Sequence, residues 1–269
     1  MPENRVVLIT GASSGFGRET ARLLLGRGFK VYGTSRNPSA KPQESGVGML
    51  ALDVDSDDSV QGGVKELLDE TGRLDILVNN AGYVLTGGAE ETSIAEAKAQ
   101  LETDFFGPVR MTKAVLPTMR KQGSGQIVNI SSLAAVLPVP FESYYAAAKA
   151  ALLAWSEALR HEVKSLGIKV SVIEPGFFKT NLGNTRKTTK HTIRDYDELR
   201  QRATAALDED FENGADPRLV GEMVLRIITS GNPKLEYAVG REKRYKTLKH
   251  LMPQSIIENG VRRHWKLDR

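Results

Sequence analysis

Tyr145 and Lys149 stand four residues apart in the segment Tyr145-Ala-Ala-Ala-Lys149. On a helix that spacing puts both side chains on one face. A phenol ordinarily titrates near ~10, too high for easy proton exchange at neutral pH. A nearby ammonium favours the phenolate and lowers that value, so the pair makes a tuned acid/base. Tyr144, next door, has alanine rather than lysine four residues on. Ser131-Ser132 close an apolar run over residues 126–131. A hydroxyl there can bond a substrate oxygen if the run is a strand whose carboxyl end faces a crevice. A serine pair is also ordinary turn chemistry.

A second chemistry is written in Thr10-Gly11-Ala12-Ser13-Ser14-Gly15-Phe16-Gly17. Glycines permit a tight turn and let backbone approach a pyrophosphate, and a following helix N-terminus supplies free N–H groups. The spacing Gly11-xxx-Gly15-x-Gly17 differs from the common GxGxxG dinucleotide fingerprint. Ser13 and Ser14 suit phosphate contacts or turn and capping roles. About twenty residues on, a carboxylate would bond the ribose 2′-hydroxyl of NAD, and an arginine would favour the 2′-phosphate of NADP. The residues there are Thr34-Ser35-Arg36-Asn37. With no carboxylate and a guanidinium able to bind phosphate bidentately, NADP(H) is expected over NAD(H).

These groups need a scaffold. Short apolar runs at residues 5–10, 29–34, 48–52, 74–78, 126–131, 168–174 and 235–239 read as strands. Helical patterns follow at 15–28, 56–71, 103–122 and 142–166, with Ser56 as a cap. Alternation of strand and helix predicts an α/β fold, a doubly wound parallel sheet of seven strands in a single domain spanning 1–269. The regular pattern fails between about Phe178 and Asp216, a polar stretch, so residues 183–215 are expected to form a substrate loop. Residues 241–269 form a C-terminal extension.

Composition narrows the chemistry. The chain has 269 residues, 40% hydrophobic and 26% charged, which are globular values. It has no cysteine, which excludes disulfides, thiolate nucleophiles and Cys-ligated metals. Its four histidines lack metal-binding spacing, so no metal is expected. No apolar run reaches the ~18 residues needed to span a bilayer, and no signal peptide is visible, so a cytoplasmic location is expected. Net charge is +4, yet residues 240–269 carry nine Lys/Arg against three Asp/Glu. Such a tail can meet an acidic partner, but a solvated helix face is the simpler reading, and no nucleic-acid partner is expected.

Taken in order, these motifs resemble the short-chain dehydrogenase/reductase family in its Tyr-Lys form. Asn79-Asn80-Ala81-Gly82, Asp53-Val54 and Pro175-Gly176 match further family segments, and the resemblance covers roughly residues 5–182. It implies that Gly11, Gly15 and Gly17 line the pyrophosphate, with Asp53 at the adenine and Asn80 at the adenosine ribose. Ala81 and Gly82 would support the sheet. It implies Tyr145 as acid/base, Lys149 on the nicotinamide ribose, Thr180 at the carboxamide, and Ser132, thirteen residues before Tyr145, as the catalytic serine. One position departs. Where the family often has asparagine, the segment Thr103-Asp104-Phe105-Phe106-Gly107 places Asp104. A carboxylate near Lys149 would push the tyrosine back up and shift the pH optimum upward. An aspartate that merely caps or bends the helix is the alternative.

Residues expected to line the substrate pocket are apolar: Tyr83, Val84, Leu85, Leu133, Val136, Val139, Pro140, Phe141, Tyr144, Phe177 and Phe178. They suit a hydrophobic carbonyl or alcohol. The long C-terminal extension resembles the hydroxysteroid- and retinol-dehydrogenase-like branch and argues against the 3-oxoacyl-carrier-protein reductases, which stay an alternative. The resemblance also implies a homodimer paired through the helices at 103–122 and 142–166. A non-catalytic NADP(H)-sensing protein, with the basic tail as partner surface, is the competing reading from another class.

Overall fold

The computed structural model describes residues 4–40, 45–180, 186–249 and 251–268. The chain alternates strand and helix: β1 (Val6–Ile9), α1 (Gly15–Leu25), β2 (Lys30–Ser35), β3 (Gly48–Ala51), α2 (Asp57–Thr71) and β4 (Ile76–Asn79). Then come β5 (Leu85–Thr86), α3 (Ile94–Leu101), α4 (Gly107–Gln122), β6 (Gly125–Ile130), α5 (Ser143–Val163) and β7 (Ile168–Pro175). The rest is β8 (Lys187–Thr188), α6 (Asp197–Glu212), α7 (Arg218–Thr229), β9 (Glu236–Val239), α8 (Lys243–Lys249) and α9 (Gln254–His264). The main sheet has seven parallel strands in the order β3-β2-β1-β4-β6-β7-β9. The order reverses between β1 and β4, where open α/β sheets bind ligands beyond the strand carboxyl ends.

The two-residue alternation of a strand builds a core on each face of the sheet. Val6 and Leu8 of β1 and Leu77 of β4 pack with Met111, Val115, Leu159 and Val163 from α4 and α5. Val7, Ile9, Ile76 and Val78 point the other way, onto Leu24 of α1 and Val220, Val224 and Ile227 of α7. Ser56 caps α2 as its sequence predicts, its Oγ accepting from Ser59 N at 3.3 Å.

Two elements differ from the sequence expectation. The helix expected at 103–122 starts with a π-helical turn over Glu102–Phe106 and becomes α-helical only at Gly107. The polar stretch after Phe178 is largely helical, since α6 buries Ala203, Ala206 and Leu207. Small residues gave its apolar face little weight. Residues 183–185 of the expected substrate loop lie outside the described residues. Among the described residues no helix is long and apolar enough to cross a membrane, and no cluster of His, Asp and Glu could hold a metal ion.

Candidate active site

The C-terminal ends of β4, β6 and β7 converge on the first turns of α5. Tyr145 and Lys149 share one face of that helix, with Lys149 Nζ 5.7 Å from the Tyr145 ring centroid. Lys149 is buried and donates to Ile130 O at 3.1 Å. Its other neighbour is Asp104, fully buried in the π-helical turn, whose Oδ1 forms an ion pair with Nζ at 2.7 Å. Asp104 Oδ2 accepts from Tyr83 N at 3.3 Å and from Gln100 Nε2. Burial pushes the Asp104 carboxyl up, and the Lys149 charge pulls it down. Burial first, and the Asp104 charge second, push the Tyr145 phenol above its ordinary value, while a hydrogen bond with Ser132 opposes both.

The structure separates the two serines. Ser131 is buried and its Oγ donates to Lys149 O at 3.0 Å, tying β6 to α5. Ser132 faces Tyr145 and also accepts from Ala134 N at 3.1 Å. Tyr144 turns away and donates to Ala89 O at 3.2 Å.

The glycine-rich turn sits at the neighbouring strand end. Gly11 holds φ of +66°, and a Cβ there would lie 3.0 Å from the Ala81 backbone. A side chain on Gly17 would collide with Gly11 O and the Asn80 amide. Gly15, at φ of +53°, faces open space. The first intrahelical bond of α1 runs from Arg18 N to Ser14 O at 3.2 Å, so the N–H groups of Gly15, Phe16 and Gly17 have no intrahelical acceptor. Ser14 leaves them free, since its side chain makes no capping bond. Sequence reading missed Thr10. Its Oγ1 accepts from both Asn80 N and Ala81 N at 2.9 Å, and Asn80 Nδ2 returns a bond to Thr10 O at 2.9 Å. Arg36 is exposed just beyond β2. Asp53 follows β3, its N–H donating to Ser59 Oγ at 2.9 Å, and Val54 is buried where a Cβ on Gly107 would touch it. Gly82 packs so closely on the Asp104–Lys149 pair that a Cβ would strike Asp104.

Tyr145 and Ser132 open onto a cavity of about 670 Å³. Val84, Leu133, Val139, Phe177 and Phe178 line it, as the sequence suggested, but Tyr83, Leu85, Val136, Pro140, Phe141 and Tyr144 do not. Pro175, Gly176 and Thr180 border the same space. The far wall is the C-terminal extension, with Leu248, Met252, Ile257, Val261 and Trp265. Trp265 is 5% exposed and packs on Phe177, with ring centroids 6.0 Å apart. The basic tail is therefore only partly a solvated face. Lys246 pairs with buried Glu174, Lys249 donates to Val136 O, and Glu242 accepts from Phe177 N at 3.3 Å.

The sequence matches the short chain dehydrogenase family over residues 5–191. The chain belongs to the short-chain dehydrogenase/reductase family. It is 38% identical to a 3-ketodihydrosphingosine reductase of Bacteroides thetaiotaomicron over 96% of this chain and 97% of that one. A crystal structure of a short-chain dehydrogenase from Streptomyces avermitilis superposes with a TM-score of 0.82, at 33% identity, over 98% of this chain and 96% of the other. The closed form of a serine dehydrogenase complexed with NADP+ superposes with a TM-score of 0.73, at 28% identity, over 87% and 94% of the two chains. The protein is thus an oxidoreductase of short-chain dehydrogenase/reductase type. Among the residues singled out from sequence, Ser132, Tyr145, Lys149 and Asp104 gather at one point of this family fold. The glycine turn, Asn80, Ala81 and Gly82 gather beside them.

Proposed function

We propose that the protein is an NADP(H)-dependent reductase of hydrophobic carbonyl compounds, interconvertible with their alcohols, with Tyr145 as general acid/base. The observation that carries this is the meeting of Ser132, Tyr145 and Lys149 at the inner end of a large apolar cavity, next to the glycine turn. The nicotinamide cofactor would supply the hydride. The turn suits such a group. Free N–H groups at Gly15, Phe16 and Gly17 and the open side of Gly15 offer room for phosphates, which the helix dipole favours. Asp53, Val54, Asn80, Ala81, Gly82, Pro175, Gly176 and Thr180 would border the rest, with Ser13 and Ser14 at the phosphates. Arg36 would hold a 2′-phosphate, and a similar protein bound to NADP+ supports that choice.

Within the protein each group has a task. Ser132 would hold the substrate oxygen beside the Tyr145 phenol, which gives its proton to that oxygen in reduction and takes it back in oxidation. Lys149 would stabilise the phenolate, and Asp104 would limit how far it does so. Phe177, Trp265 and the α8–α9 wall would exclude water from the reacting carbon.

The test is NADPH oxidation against a panel of hydrophobic aldehydes and ketones, with NADH and Tyr145→Phe in parallel. Turnover in the wild type, reduced by about 10²-fold or more in Tyr145→Phe with NADPH binding retained, is the expected result. Tight NADPH binding with no turnover of any carbonyl would overturn the reductase reading and favour the sensor.

A further inference from the structure

The charge of the C-terminal extension has no part in the proposed chemistry, and the first helix of that extension is built inside out. Lys246 of α8 turns inward to Glu174 and Glu236, and Lys249 turns inward to Val136 O. Tyr245 and Leu248 of the same helix are exposed. The chain then turns through Leu251, which is 76% exposed, and Met252 into α9, where Ile256 is exposed too. A helix lying on a protein in water ordinarily shows the reverse, with cations outward and apolar side chains inward. Single exposed apolar residues are common. Here five of the nine large exposed apolar side chains among the described residues fall between 245 and 256, which makes a patch. Four of the five, Tyr245, Leu248, Met252 and Ile256, also border the cavity that Tyr145 reaches. Exposed cations flank the patch along the chain, Arg241, Lys243 and Arg244 before it and Arg262 and Arg263 after it. The nearby acids are already engaged. Glu242 accepts from Phe177 N at 3.3 Å, Glu258 accepts from Gln254 Nε2 at 3.1 Å, and Asp268 pairs with Arg262 at 2.6 Å. On the adjoining α6, Asp210 meets His264 at 2.8 Å and Glu209 meets Lys266 at 3.8 Å. Among the described residues no carboxylate pairs with Arg241, Lys243, Arg244 or Arg263, and Arg244 lies over the Tyr245 ring, 5.1 Å from its centroid.

We propose that α8, α9 and the turn between them form a docking surface for an anionic lipid bilayer. Leu251, Met252 and Ile256 enter the boundary of the acyl layer, and the unpaired arginines and Lys243 meet the phosphates of the headgroups. The helices lie on the bilayer and do not cross it, since α8 has seven residues and α9 eleven. A second copy of the chain suits the patch less well. A two-fold interface sets a surface against itself, so the unpaired cations would face their own duplicates. A bilayer offers the opposite charge, and a fluid acyl layer takes up scattered apolar tips without a matching shape. Docking in this way turns the cavity mouth at Tyr245, Leu248 and Met252 toward the lipid. Docking needs neither cofactor nor turnover, so it stands or falls apart from the reductase reading.

Co-sedimentation of the full chain with vesicles tests this. One set of vesicles is phosphatidylcholine alone, the other equal parts phosphatidylcholine and phosphatidylglycerol, each at low and high salt. Wild type is expected to bind the anionic vesicles about tenfold or more tighter than the neutral ones, and to lose most of that margin at high salt. Leu251→Asp removes the most exposed apolar side chain and should weaken binding to anionic vesicles about tenfold or more. Lys243→Glu reverses one unpaired charge and should also weaken it about tenfold or more, while leaving binding to neutral vesicles unchanged. The thermal midpoint of each variant shows that it is folded, and Lys243→Glu serves alone if Leu251→Asp is not. No binding of wild type to anionic vesicles, equal binding to both kinds, or binding that survives unchanged in both folded variants would each overturn the proposal. A concentration-dependent dimer that Leu251→Asp dissolves, without vesicle binding, would also overturn it and give the patch to a second copy.

Discussion

Asp104→Asn removes one charge and almost no volume from the buried pair at the centre of the site. Lys149 Nζ lies 5.7 Å from the Tyr145 ring centroid. At an effective dielectric of ~20, a full positive charge there favours the phenolate by about 3 kcal/mol, or about two pK units. Asp104 Oδ1 sits 2.7 Å from the same ammonium and has the opposite sign. Two donors on Oδ2, from Tyr83 N and Gln100 Nε2, favour its ionised form. A carboxylate so placed cancels roughly half of the lysine's effect at the phenol, about one pK unit. Asparagine should therefore lower the Tyr145 value by about one unit, moving it toward neutral pH. In the proposed mechanism Tyr145 must be deprotonated to accept the alcohol proton in oxidation, so activity should rise with pH toward its titration. The assay is kcat/KM for NADP+-dependent oxidation of a hydrophobic secondary alcohol between pH 6 and 10. The rising limb should be displaced about one unit lower, giving about tenfold more activity at a given pH within that range. A folded, NADPH-binding Asp104→Asn enzyme whose profile superposes on the wild type would refute the reasoning, because Asp104 would then be neutral or electrostatically silent.

Two further predictions concern cofactor and substrate. Arg36→Glu should reverse the proposed NADPH-over-NADH preference, chiefly by raising KM for NADPH by about tenfold or more, since the proposed charge-assisted phosphate contact would be lost and a repulsion gained. An unchanged cofactor ratio would remove Arg36 from the site. Trp265→Ala should destabilise the packing of α9 on Phe177 and Phe211 by about 3 kcal/mol. Limited proteolysis should then release the tail before the sheet domain is cut, and KM for apolar carbonyls should rise with little change in KM for NADPH. A wild-type proteolysis pattern with unaltered KM would show that the extension does not wall the substrate.

The parts of the site that were legible in the sequence are those whose chemistry demands a local spacing. Tyr145 and Lys149 had to be four residues apart to share a helix face, and the stretch from Gly11 to Gly17 had to join β1 to the first turn of α1. The strands were visible for a similar reason, since Val6 to Ile9 are buried on both faces and leave a continuous apolar run. Ser131 and Ser132 were equivalent as letters; which one faces Tyr145 depends on how β6 ends against α5, and the resemblance to a family was needed to choose. Thr10 was invisible because its work is to hold Asn80 and Ala81, seventy residues away in the chain.

The substrate wall obeys no spacing at all. Trp265 faces the same cavity as Tyr145 from 120 residues away, held there by contacts with Phe177 and Phe211 that no periodicity announces. An apolar wall needs only bulk at the right place, so many sequences satisfy it and none is a motif. Glu142 illustrates the converse. An acid just before a long helix reads as a cap, and that reading fails only when the first turn of α5 is seen to leave its side chain unbonded. Whether such an acid caps its helix is thus a property of the folded chain that residue order cannot carry. The spacing of the proposed acid/base pair and of the glycine turn follows from local rules, while the shape of the cavity rests on the long-range closure of α8 and α9.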